Sequence, residues 1–196
     1  MKAPDLSGIE EGYQFIESDQ GYFVFTINVS AENISNTFQH LAVHVEAPGF
    51  LVLEIPTHED IEKEIRESES DPYHNDVFYL DGIDFNKAKA VIDPIENLLI
   101  NDGMIHFGFG SHAGHDEVFI GPYKIFTIFA EEPGKYVAAL KELGIPEVES
   151  LKTVWDNFTE DTPGQRFALD DVETTIYEIV DGLKEEGLYF AERRED

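Results

Sequence analysis

A chain of 196 residues with no cysteine, and with 41 Asp and Glu against 13 Lys and Arg for a net charge of −28, can bury a core without cross-links but cannot build a disulfide, a thiolate metal site or a cysteine nucleophile. That charge repels nucleic-acid phosphates and anionic membranes and attracts basic partners over about a Debye length. The start, MKAPDLSGIEEGYQF, has no apolar signal core, and no run approaches the roughly 18 apolar residues of a membrane span, so the expected location is the cytoplasm.

From the N-terminus, YQFIES, the turn DQG and YFVFTINV predict a β-hairpin, because aromatic and β-branched residues flank a glycine that permits positive φ. SAENISNTFQHLAVHVEAPG then places Ile34, Phe38, Leu41 and Val45 on one helical face, closed by Pro48-Gly49. FLVLEIP reads as a short buried strand. THEDIEKEIRESESD offers a cap, Thr57 with Asp60, on a short exposed helix or acidic loop.

HNDVFYLDG predicts a further strand. Phe85, Ala88, Val91, Ile95 and Leu98 recur at helical spacing, and Pro94 among them predicts a kink or two short helices. MIHFGFGS and VFIGPYKIFTIFA follow as strands, the second broken or bulged at Gly121-Pro122. PGKYVAALKELGIPE is the clearest helix, with Pro133 near its start and Gly144 as its stop. Trp155, beside Val154 and Phe158, is expected to be buried. LDDVETTIYEIVDGLKEEG predicts a closing amphipathic helix capped by Asp170 with Glu173, and ERRED a frayed tail. HNDVF at 74–78 is echoed by HDEVF at 115–119, as though two strands were entered by one kind of acidic turn.

Strands lying next to one another, as well as alternating with helices, predict an α+β fold with a mainly antiparallel sheet and about four to five packed helices. No Pro-, Gly- or Ser-rich linker divides the chain, so a single domain over 1–196 is expected, its weakest division near 100–104.

Chemistry concentrates in GFGSHAGHDEVF, residues 108–119. Imidazole and carboxylate together bind zinc or another divalent transition metal, and the candidate ligand set is His106, His112, His115, Asp116 and Glu117. An ion there would activate a water for hydrolysis. Two features weigh against it: Asp116 and Glu117 point opposite ways if they begin a strand, and His106 precedes His112 by six residues. The competing reading is a β–β connection in which glycines make the turn and polar groups face water. A phosphate-loop reading fails because no lysine is near and a strand, not a helix, follows. Ser111 beside His112 lacks the strand-to-helix elbow of a nucleophile. His40 and His44 have a chelating spacing but need a third ligand.

The leading expectation is therefore a binding protein without catalysis or cofactor, monomer or homodimer, whose acidic surface holds a basic protein partner. Bacterial immunity proteins supply the analogy in size, charge and absence of cysteine, an analogy of general character only. The alternative is the metal-dependent hydrolase or metal-binding protein built on the His106, His112 and His115 loop.

Overall fold

The computed structural model describes residues 6–170 and 172–195. One eight-stranded antiparallel sheet organises the chain, with strands β1 (Gly12–Glu17), β2 (Phe23–Asn28), β3 (Gly49–Pro56), β4 (His74–Ile83), β5 (His106–Ser111), β6 (Glu117–Ile120), β7 (Phe126–Ala130) and β8 (Tyr189–Glu195) in the spatial order β1-β2-β7-β6-β5-β3-β4-β8. The helices are α1 (Ile34–Ala42), α2 (Glu59–Ile65), α3 (Phe85–Ile92), α4 (Glu96–Asn101), α5 (Pro133–Glu142) and α6 (Ile176–Leu183). The α+β class and the antiparallel sheet are as the sequence predicts.

Cross-strand register explains where the core lies. Leu53, Phe107, Ile120, Phe126 and Ile27 form one continuous row across β3, β5, β6, β7 and β2, and Leu51, Phe109, Val118, Ile128 and Phe25 form the next. Alternation puts both rows on one face, where Phe38 and Leu41 of α1, Val91 of α3, Leu99 of α4, Leu140 of α5 and Val180 of α6 pack against them. The opposite face carries Val52, Gly108, Phe119, Thr127 and Thr26 in one row, and Phe50, Gly110, Glu117, Phe129 and Val24 in the other.

The first hairpin turns at Gly21, φ +84, with Ser18 N–H donating to the Tyr22 carbonyl at 2.8 Å. The kink at Pro94 appears as a 3-10 turn, Asp93–Ile95, between α3 and α4. Of the two alternatives at Gly121-Pro122, a break or a bulge, VFIGPYKIFTIFA takes the break: β6 and β7 are neighbouring strands folded back through Pro122–Lys124. Tyr123 and Lys124 both adopt left-handed backbone, φ 58 and 59, where a non-glycine residue is strained. That turn aims the Lys124 ammonium inward onto the carbonyls of Leu99 and Ile105, at 2.7 and 2.6 Å. Burial lowers the Lys124 pKa to about 8.

The α2 cap is His58, whose Nδ1 accepts from Asp60 N–H; Thr57 is buried and donates to Asp76 instead. The closing helix is capped by Thr175 and Glu178, not Asp170 and Glu173. ERRED is no frayed tail: residues 192–195 complete β8 against β4, where Arg193 grips Asp76 through two bonds of 2.6 and 3.1 Å; Asp196 lies outside the described residues. Trp155 is 52% exposed and stands edge-on to Tyr123 and Phe158, because residues 154–157 form a 3-10 turn that buries only Val154.

Candidate functional site

Two of the glycines of GFGSHAG serve packing rather than a turn. Gly108 and Gly110 lie inside β5, not in a turn, on the face away from the helices. A Cβ on Gly110 would overlap the Phe50 ring, and one on Gly108 would come within 2.9 Å of the Phe119 ring. They therefore make room for two phenylalanines lying over the strand. The connection itself, 112–116, is set by Ser111, whose Oγ accepts from the N–H groups of Ala113 and Gly114 at 3.0 and 3.1 Å. Ser111 N–H donates to the Asp116 carbonyl at 2.8 Å and closes the loop.

The structure separates the five candidate ligands. His106 opens β5 and His112 follows its end, and six residues of strand at about 3.4 Å each put them roughly 20 Å apart. His106 is buried, and its Nε2 lies 3.1 Å from Arg166 Nη1. Because a guanidinium can only donate, Nε2 is the acceptor and the proton sits on Nδ1, 3.6 Å from Glu54 Oε2. His112 rests on the Phe50 ring and is 2.9 Å from Asp81 Oδ1, while Asp81 Oδ2 accepts from the Tyr189 hydroxyl at 2.6 Å. His115 is 79% exposed at its side chain, with Nε2 3.7 Å from Glu131.

Asp116 and Glu117 do diverge, as strand alternation requires. Asp116 turns toward α5 and is filled: it accepts from Glu131 N–H at 3.0 Å and from the Tyr136 hydroxyl at 3.2 Å, and it pairs with Lys135. Burial, and after it the Asp116 charge, raise the Tyr136 pKa. Glu117 emerges on the opposite face. The proposed metal set is thus not assembled. Among the described residues no group of three or more His, Asp or Glu is placed to hold a metal ion. His40 of α1 and His44 just after that helix have ring centres 6.2 Å apart, and His40 lies 3.2 Å from Glu142.

What the loop does border is a cleft of about 540 Å³ on the face without helices, lined by Gln20, Gly21, Tyr22, His115, Glu117, Phe129 and Glu131. Three segments build it: the β1–β2 turn, the β6 entrance and the end of β7. Tyr22 and Phe129 meet edge to face, centroids 5.9 Å apart, and form its apolar wall. Burial raises the Glu117 pKa, and the Arg194 charge offsets part of that rise. Arg194 stands nearer to Glu192 and Tyr79. The cleft combines carboxylates with aromatic rings, a lining suited to an organic cation.

Sequence reading found His115 and Glu117 but missed Tyr22, Phe129 and Glu131. The alternation of YFVF and FTIFAEE carries the signal that these side chains share a parity with their strands' outer residues. No local pattern says that β2 lies beside β7, so the cleft is invisible before the strands are ordered.

Fold and site define a class no finer than an acidic α+β protein with its helices against one sheet face and a carboxylate–aromatic cleft on the other. The chain matches no protein-family model, no curated protein and no solved structure.

Proposed function

We propose that this protein is a non-catalytic binding module that captures a basic protein partner through its acidic surface, in the general manner of an immunity protein. The observation that carries the reading is how the positive charges are placed. Lys63, Lys87, Lys89, Lys135, Lys184, Arg193 and Arg194 each pair with a carboxylate of the same chain. Lys124 and Lys152 are bound to backbone carbonyls, and Arg166 to His106. The net charge of −28 is therefore carried with few cations left unengaged.

Surface carboxylates in that number steer a cationic partner and speed its encounter, and salt suppresses the effect. Exposed aromatics, among them Trp155, Phe167, Tyr189 and Phe190, supply the anchors that charge alone lacks. The test is affinity capture from a lysate on the immobilised chain, followed by association kinetics with each captured protein. The expected result is one or a few proteins of high isoelectric point whose association rate falls by more than about tenfold between roughly 0.05 and 0.5 M salt. Indiscriminate capture, or rates insensitive to salt, overturns the reading.

A further inference from the structure

The geometry points to the cleft between the β1–β2 turn, β6 and β7 as the seat of one arginine side chain of the basic partner, its guanidinium held by Glu117 and Glu131 and its stem laid against the Tyr22–Phe129 wall. This rests on the basic-partner reading above and names the site at which that partner is gripped.

Four observations converge on it. The pocket is a concavity of about 540 Å³ open to solvent on one side, so a side chain can enter without displacing a helix. Its two carboxylates come from different strands, Glu117 from β6 and Glu131 just after β7, and a planar fork of donors is suited to bridging such a pair. The rings of Tyr22 and Phe129 stand edge to face and offer an aromatic surface on which guanidinium stacks better than ammonium does. Little positive charge competes: His115 is the basic side chain of the lining, mostly exposed and 3.7 Å from Glu131, and Arg194, whose charge reaches Glu117, is bonded to Glu192 instead. Anionic ligands are excluded by the same carboxylates.

The probe is N-acetyl-arginine amide, a blocked residue with one positive charge, titrated into isotopically labelled protein and followed by NMR. Its neutral citrulline counterpart and unblocked L-arginine are the comparison arms. Saturable shifts are expected at Tyr22, Glu117, Phe129 and Glu131 with the blocked arginine and none with citrulline. The double variant Glu117→Gln, Glu131→Gln is expected to weaken binding about tenfold or more, as loss of charge-assisted contacts implies. Glu59→Gln, Glu64→Gln, which removes the same charge from α2, is expected to leave it within about twofold. Equal weakening by both double variants, or shifts spread over the whole surface, overturns the proposal in favour of a diffuse field. Tighter binding of unblocked arginine overturns the assignment to a protein side chain. A failure in any of these arms leaves salt-dependent capture of a basic protein to be judged on its own measurement, so the two readings fall separately.

Discussion

Glu117 is a residue at which the side chain's charge and its surroundings pull against each other. Its carboxyl begins a strand whose outward side lines the cleft, and burial raises its pKa. An acid with a higher pKa folded than unfolded keeps its proton longer in the folded chain, so stability falls as pH rises between the two values. Glu117→Gln removes that penalty. The variant is expected to melt above the parent at neutral pH, with the difference vanishing below about pH 4, where both states hold the proton. A pH-independent difference in calorimetry would show that ionisation of Glu117 carries no cost. Asp116 is the opposite case, a buried carboxylate whose bonds to Glu131 N–H, Tyr136 and Lys135 are all made. Asp116→Ala is expected to cost about 2–4 kcal/mol in urea unfolding, since it strands two donors and a cation. Gly110→Ala displaces the Phe50 ring and is expected to cost about 1–3 kcal/mol by overpacking.

Among the elements, α6 and β8 show how much the last part of the chain contributes. Thr175 and Glu178 form a reciprocal capping box, with Glu178 Oε2 accepting from Thr175 N–H at 2.8 Å. Thr175→Ala is expected to lower stability by about 1 kcal/mol, while Asp170→Ala, at the position the sequence favoured for the cap, leaves the melting point unchanged. β8 covers the β4 edge and supplies Arg193 to the buried Asp76. Deleting residues 189–195 leaves that carboxylate without its guanidinium and opens the β4 edge over residues 74–79. Loss of about 3–5 kcal/mol is expected, together with concentration-dependent association seen by light scattering, because an uncovered edge pairs with other chains.

At the scale of the whole molecule, charge sets the response to solution conditions. With a net of −28, the compact state repels itself, and salt screens that repulsion. The melting temperature is expected to rise between about 0.05 and 0.5 M sodium chloride, while the association rate with a basic partner falls over the same range. Self-repulsion and steering share one source in the net charge, so both trends are expected on one preparation. Solubility is expected to reach its minimum near pH 4.3, where the net charge crosses zero.

What the sequence determined by itself is local. Ile34, Phe38, Leu41 and Val45 repeat at helical spacing and are buried; Pro94 breaks a helix where a missing N–H must break it; Gly21 turns the first hairpin. Each depends on residues a few positions apart, where periodicity and turn chemistry act. Adjacent strand residues had to diverge, and Asp116 and Glu117 do. Only the tertiary structure decided the rest. That β2 lies beside β7, so that Tyr22 meets Phe129 over Glu117, follows from pairing between segments far apart in the chain. That Gly108 and Gly110 seat the rings of Phe119 and Phe50, rather than make a turn, follows from the register of β3 and β6 against β5. The histidines that stand close in the sequence were kept apart for the same reason: extended backbone carries His106 and His112 to opposite ends of β5, and proximity along a strand is distance in space.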